Sequence, residues 1–202
     1  FDLRADARLR LEKLGQQPLQ SSGTLVFDIE SIVRYAHSGS AGTTTQIEAA
    51  DYGALELDDG GNDNVFELIG LTQAQKNVNL VSGTLEVEGQ TLRSDGNILV
   101  SSTASLLITG SSNDGRLELT GAFTPPAPAI DVQRLGGSGV VEIPEVVFEN
   151  TSTTEEFELA GPVISQFFAV EDDESLDLGG NDLTINDLGA TSTLSQGIAV
   201  AT

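Results

Sequence analysis

The sequence predicts an all-β protein, either a parallel β-solenoid built from repeated units of about 30 residues or a β-sandwich. The first observation is a repeated phrase, Gly-x-Leu-x-apolar-polar, which begins at Gly23, Gly53, Gly83 and Gly115. The second is that short apolar runs, separated by Gly, Asn, Asp and Ser, follow each phrase. The regular spacing favours the solenoid, whereas the loss of this register beyond about residue 120 favours the sandwich.

The N-terminal segment, residues 1–22, is interpreted as an arm and a polar linker, and residues 23–202 as a single β-rich domain. Apolar residues occupy the odd positions of the arm and mostly charged residues the even ones, which is the pattern of a half-buried strand. A helix is the alternative, because Leu3, Ala7, Leu11 and Leu14 also lie at helical spacing. The strand is favoured because Leu9 does not fit the helical stripe.

The arm is also the candidate assembly element, if it adds as a strand to a sheet of another molecule. The alternative is that residues 1–11 pair within their own subunit, as an edge strand or as the cap of a solenoid. In assembly, the apolar side chains of the arm would fill pockets of a neighbouring subunit, and its arginines would pair with acidic groups there. These assembly residues are Phe1, Leu3, Arg4, Ala5, Ala7, Arg8, Leu9, Arg10 and Leu11.

After the linker, residues 28–37 read as one short helix. Asp28 would cap it, and Ile29, Ile32 and Val33 would lie on one side. The later units read as three short strands each.

Composition narrows the function classes. The chain has 31 acidic and 9 basic residues, a formal net charge of −22, which argues against binding nucleic acid or anionic membranes and predicts attraction of divalent cations. The absence of cysteine excludes disulfides and zinc–thiolate sites. No apolar run is long enough to span a membrane. The sequence contains no methionine, which suits an exposed extracellular protein, and no signal-peptide pattern is visible, so we expect an extracellular or cell-surface protein whose signal peptide has been removed.

Two acidic clusters are candidate calcium sites, because Ca²⁺ is bound by six to eight oxygen ligands from carboxylates, amides and carbonyls. The tetrapeptide Gly-Gly-Asn-Asp occurs in both, at 60–63 and 179–182. Plain turns are the alternative interpretation, since Asn, Asp and Gly dominate turns in any β protein. The candidate ligands are Asp58, Asp59, Asn62, Asp63, Asn64, Asp172, Asp173 and Asp182.

The segment Leu176-Asp-Leu-Gly-Gly-Asn-Asp-Leu-Thr-Ile, continuing to Leu194, resembles repeats in the β-solenoid passenger domains of bacterial autotransporters. The resemblance implies a secreted, surface-exposed β structure and identifies no catalytic residue. The N-terminal arm is similar in pattern to the donor strand of pilus-type subunits, which implies assembly by strand exchange.

Catalysis is not expected. His37 is the single histidine, and the sequence contains no nucleophile elbow, phosphate-binding loop or dinucleotide fingerprint. The first functional hypothesis is therefore a self-assembling subunit of a surface filament, pilus or layer. The alternative is a calcium-stabilised adhesin or passenger-like binding domain, and a glycan-active enzyme on a solenoid is the third hypothesis.

Overall fold

The computed structural model describes residues 2–12, 18–19, 25–36, 40–107, 114–121, 132–149, 156–170, 175–185, 193–194 and 199–201. Over these residues the chain is a parallel β-solenoid of about seven turns, without a helix. Every strand pair in the described residues is parallel, and this confirms the solenoid over the sandwich, whose strands are antiparallel.

Each turn contributes strands to three faces, and a strand pairs with strands of the adjacent turns on the same face, except that the first two strands of face 3 form a two-stranded sheet of their own. Face 1 consists of β2 (Arg8–Leu11), β4 (Ile32–Ala36), β7 (Ala54–Asp58), β10 (Val78–Leu80), β13 (Ile98–Val100), β16 (Val132–Gly137), β18 (Glu156–Leu159), β20 (Ser175–Asp177) and β23 (Ala199–Ala201).

Faces 2 and 3 share two long strands that pass from one face to the other. Face 2 consists of β5 (Thr44–Ile47), β8 (Val65–Leu68), β11 (Gly83–Glu86), β14 (Ala104–Leu107), the first halves of β17 (Val140–Phe148) and β19 (Val163–Val170), and β21 (Leu183–Ile185). Face 3 consists of β1 (Asp2–Leu3), β3 (Val26–Phe27), β6 (Asp51–Tyr52), β9 (Thr72–Ala74), β12 (Thr91–Ser94), β15 (Arg116–Leu119), the second halves of β17 and β19, and β22 (Thr193–Leu194).

The predicted unit of about 30 residues is wrong, because one turn takes about 22 residues. Val33 lies beside Leu55, and Leu55 beside Val78, in the ladder of face 1. Since a turn has three faces of about seven residues each, 30 residues correspond to roughly four faces, or one turn and a third. The phrases starting at Gly53, Gly83 and Gly115 accordingly lie on faces 1, 2 and 3 in succession.

The core is a set of apolar ladders inside the three faces. Alternate residues of each strand point inward, and the matching positions of successive turns stack on each other. Leu55, Leu85 and Leu117, the leucines of three repeated phrases, are fully buried. The phrase therefore marks the inward side of a strand, whichever face that strand belongs to.

The short helix predicted for residues 28–37 is wrong. Asp28 does use its carboxylate as a cap, accepting a hydrogen bond from the Glu30 N–H at 2.9 Å, but the result is a turn that leads into β4. Val33 and Tyr35 alternate inward along this strand, which is paired on both sides. Local propensity was overridden by burial between two neighbouring turns.

The C-terminal half keeps the register that could not be followed in the sequence. Val141 lies beside Leu106 on one side and Val163 on the other, so the ladder of face 2 continues past residue 120. The turn from Ile98 to its ladder partner Leu135 is longer than the others, and this length shift breaks the pattern in the sequence.

Candidate functional site

The predicted arm forms the first turn of the described solenoid. It is a strand rather than a helix, as predicted: β1 pairs with β3 and β2 with β4 of the same chain. Leu3, Leu9 and Leu11 pack against the core, while Arg8 and Arg10 are exposed. The leucines of the arm are therefore used by its own core. Among the other predicted assembly residues, Arg4 and Ala5 are exposed, Ala7 is half-buried and Phe1 lies outside the described residues.

The outer edge of β2 has no partner among the described residues. The Ala7 carbonyl accepts a hydrogen bond from the Ile32 N–H at 3.0 Å. Because alternate residues of a strand bond to the same neighbour, Leu9 and Leu11 also bond to β4, and Arg8 and Arg10 direct their backbone groups to the open edge. The edge thus offers main-chain donors and acceptors flanked by two arginine side chains.

The first acidic cluster forms the loop between β7 and β8, where the chain passes from face 1 to face 2. Asp59 is fully buried, and its carboxylate accepts hydrogen bonds from the N–H groups of Gly61 at 2.7 Å, Asn62 at 3.2 Å and Asn64 at 2.7 Å. The Ser82 hydroxyl of the next turn accepts from the Asp59 N–H at 3.0 Å. Asp59 therefore organises the loop from its centre.

Asp58 lies at the outer side of the same loop. Its carboxylate accepts hydrogen bonds from the Gly60 N–H at 2.9 Å and the Ser82 hydroxyl at 2.7 Å, and it is paired with Arg34. Burial raises the pKa of both aspartates, but the Ser82 hydroxyl and the loop N–H groups outweigh burial, assisted by Arg34 at Asp58, so that each pKa lies below its ordinary value.

The second Gly-Gly-Asn-Asp occupies the equivalent loop between β20 and β21, again where face 1 leads to face 2. The Gly179 N–H donates to the Asp177 carboxylate at 2.8 Å, as Gly60 does to Asp58. In both loops the two glycines have positive φ, which a side chain would strain. The repeated tetrapeptide therefore encodes one type of corner.

The calcium sites stay a prediction. Of the candidate ligands, Asp63 and Asp182 are exposed, Asn62 is half-buried and Asn64 is buried, with its side-chain carbonyl accepting from the Thr43 N–H at 3.0 Å. The structure does not bring the two loops together, since they lie in different turns. Within the described residues no group of three or more carboxylates or histidines is arranged to hold a metal ion. Asp172, Asp173 and His37 lie outside those residues.

Ion pairs between turns are a feature that the sequence alone does not predict. Five of the basic residues each contact a carboxylate of another turn: Arg34 with Glu56 at 2.8 Å, Arg93 with Glu118 at 2.7 Å, Arg116 with Glu145 at 3.0 Å, Arg134 with Glu158 at 2.7 Å, and Lys76 with Glu30. In the four arginine pairs the signal in the sequence is an opposite charge about one turn further along, whereas Lys76 and Glu30 are 46 residues, about two turns, apart. Both spacings are visible only once the length of the turn is known.

Glu118 is the centre of the largest of these networks, on face 3. Its side chain is 11% exposed and lies between Arg93 and Arg116, each 2.7 Å away. Arg116 also contacts Glu145, and Arg93 lies 4.0 Å from Glu149. The network extends over three successive turns and links them through ion pairs.

An open groove lies on the outer surface of face 1, with a volume of about 420 Å³. Leu99 and Val81 form its apolar wall, and Gly136 leaves the floor without a side chain. Glu56 is the single carboxylate among the lining residues.

Over the described chain there is no helix that could cross a membrane. Comparison with known proteins found no matching family model, no matching curated protein and no matching solved structure.

Proposed function

We propose that the chain is an extracellular structural protein, a subunit that self-assembles into a surface filament or layer through strand addition at its first turn. The open edge of β2 carries this proposal, because an unpaired edge is a template for pairing with another chain. A contact between this edge and a different part of a neighbour is heterologous, and repetition of such a contact gives an open fibre.

The remainder of the described chain supports a structural role. Its apolar residues form continuous ladders, and most of its cations join neighbouring turns. A stack held together in this way is a rigid rod, in which each turn is supported by the turns beside it.

The experiment compares two substitutions at one position of the open edge. Arg10→Pro removes a backbone N–H that faces away from β4, so we expect a folded chain that no longer forms filaments in negative-stain images. Arg10→Gln removes the same charge but keeps the N–H, and should still form filaments. Filaments of unchanged length in Arg10→Pro would contradict strand addition at this edge.

Deletion of residues 1–14 is a less informative test. It would remove β2 together with its edge, but it would expose the edge of β4 in its place. Leu9→Pro is the useful control for folding, because it removes an N–H that bonds to β4 and should lower the melting temperature where Arg10→Pro does not.

The second candidate is a passenger-like binding domain, and the groove on face 1 favours it. The apolar wall with polar groups at the rim is the usual composition of a ligand site. If this domain is calcium-stabilised, EDTA should lower its melting temperature; an unchanged melting temperature would remove the calcium part of the hypothesis. A glycan-active enzyme has less support, since a glycosidase uses a pair of carboxylates and the groove contains one.

A further inference from the structure

The apolar residues of the core are not covered equally along the solenoid. In the middle turns they are fully buried, as Leu55 and Ile98 are on face 1. The apolar residues that pack against the core but stay partly exposed lie, apart from Ala50, near the two ends: Leu3, Leu9, Leu11, Leu19 and Leu25 near the first, and Leu178, Leu183 and Ile185 near the last. Terminal repeats of a soluble solenoid usually present a polar outer surface, so these two ends are suited to being covered.

The backbones of the two ends are complementary. Among the described residues β2 pairs with β4 alone and β23 with β20 alone, so face 1 has an unpaired edge at each end. The edges point in opposite directions along the solenoid. Because the strands of face 1 are parallel, a second copy shifted along the axis would bring its β2 parallel to β23, in the arrangement that already joins β20 to β23. Two first turns could continue face 1 only as antiparallel strands.

The charges of the two ends are also complementary. Four of the nine basic residues lie at the start of the chain: Arg4, Arg8, Arg10 and Lys13. After Arg134 the sequence contains many acidic residues but no lysine or arginine. The ion pairs of Arg4 with Asp2 and of Arg10 with Glu12 are more than half exposed and therefore weak. Contact between unlike ends is attractive, whereas two last turns would place carboxylates against carboxylates.

One outward column of face 1 runs between these charges. Arg8 and Arg134 lie in this column, because each directly precedes a residue of the inward ladder that begins at Leu9. Beyond Arg134 the column continues through Glu158 and Asp177 to Ala201 on β23, its last described position.

A copy stacked in phase would place its Arg8 directly beside Ala201, and about 9.6 Å from Asp177, which is two strand spacings. The chain already contains an ion pair of this reach, since Lys76 contacts Glu30 about two turns away. The Gly179 N–H donates to one oxygen of Asp177 at 2.8 Å and leaves the second oxygen for an arginine.

We propose that the last turn of one copy receives the first turn of the next, with β2 added in parallel to β23, so that face 1 and the core continue from copy to copy. The proposal rests on the proposed function and deepens it, because it names the surface that the open edge of β2 recognises. The contact covers the partly exposed leucines of both ends. Since the two ends use different surfaces, the contact repeats without closing and gives a fibre.

The test introduces cysteines into the full chain, which has none of its own. R8C/A201C places one thiol at each end of the outward column. Neighbouring positions of two parallel strands are about 4.8 Å apart, within the Cα separation that a disulfide spans. Inside one chain the two positions lie at opposite edges of a nine-stranded sheet, about 38 Å apart, so every disulfide joins two copies. Mild oxidation should therefore give a series of disulfide-linked oligomers on a non-reducing gel.

The matched control is R8C/T184C, which keeps the first thiol and moves the second to an exposed position of β21, on face 2. The linked oligomers of R8C/A201C should be at least about tenfold more abundant than those of the control, because stacking holds their thiols in contact. A mixture of the single variants R8C and A201C should give a linked dimer, and neither variant alone should do so.

The outcomes separate this contact from strand addition as such. If the unmodified chain forms filaments but R8C/A201C links no better than R8C/T184C, the end-to-end register is wrong and strand addition stands. If R8C alone links as strongly as the mixture, two first turns meet and the proposal is overturned. Linking that is unchanged when Arg10→Pro is added would support the end-to-end contact and count against strand addition. A chain that neither links nor forms filaments at any concentration would overturn both.

Discussion

The Glu118 network on face 3 allows a quantitative prediction for Glu118→Gln. The substitution keeps the size of the side chain but removes the charge between Arg93 and Arg116, leaving two guanidinium groups facing each other. Breaking a fully buried ion pair costs about 3–5 kcal/mol, and breaking an exposed one about 0–1 kcal/mol. Glu118 is 11% exposed, and its partners are 37% and 34% exposed. We therefore expect a loss of about 2 kcal/mol in the free energy of unfolding.

The measurement is urea unfolding followed by circular dichroism, with the midpoint compared between variants of equal slope. The matched control is Glu12→Gln, in which the partner Arg10 and the substituted side chain are both more than half exposed. We expect that control to change the free energy by less than about 0.5 kcal/mol. A double-mutant cycle with Arg93→Met would isolate the interaction between Arg93 and Glu118.

The result that would refute this reasoning is an equal, small shift in Glu118→Gln and Glu12→Gln. It would show that burial between turns does not strengthen these ion pairs. A coupling energy near zero in the cycle would lead to the same conclusion, since the two side chains lie 2.7 Å apart.

Three further predictions concern the tyrosines, one tight corner and one buried carboxylate. Tyr35 and Tyr52 share a hydrogen bond of 2.9 Å, and burial raises the pKa of Tyr35 to about 12 and that of Tyr52 further. The contribution of the two neutral tyrosines to stability should be complete below about pH 10 and lost as the pH rises towards 12. Tyrosinate absorbance that appears near pH 10 without unfolding would contradict this prediction. Gly161→Ala should destabilise the chain by about 1–3 kcal/mol or more, because its Cβ would overlap the backbone of the preceding turn, and Gly161→Ser should fold no better. Asp59→Asn should weaken stability most above about pH 4. Because the pKa of Asp59 is lowered in the folded chain, the stability that its carboxylate contributes is complete above the pKa of the unfolded state and is lost as the pH falls through the pKa of the folded state. If the stability of the variant falls as steeply with decreasing pH as that of the unmodified chain, the prediction is wrong.

The all-β class and the strand character of the arm could be predicted because both depend on alternation, which a single strand displays by itself. Leu9 and Leu11 are inward and Arg8 and Arg10 outward, as period two requires. The length of the turn could not be predicted from the phrase alone. The phrase marks the start of a strand on any of the three faces, and its occurrences lie on different faces of different turns.

Corner loops and ion pairs depend on contacts between turns, which the sequence shows only indirectly. The repeated Gly-Gly-Asn-Asp is visible in the sequence, but the role of Asp59 is not, because its partner Ser82 lies 23 residues further along the chain. The pairing of Arg134 with Glu158 is of the same kind. These side chains become neighbours only when one turn is laid on the next.

A turn with three faces has a consequence for changes in chain length. Adding or removing about 22 residues returns every downstream side chain to its own face, so whole turns should be gained or lost without repacking. Adding about a third of that length would move every downstream residue to the next face. Residues of face 2, with their carboxylates, would then stack on face 3, where the ion pairs of face 3 would lose their partners. Corners are the exception: the loop at 59–64 is longer than the Val81–Ser82 corner stacked on it, and both leave the strands that follow in phase. Homologues and engineered variants should therefore vary in length by full turns or at corners.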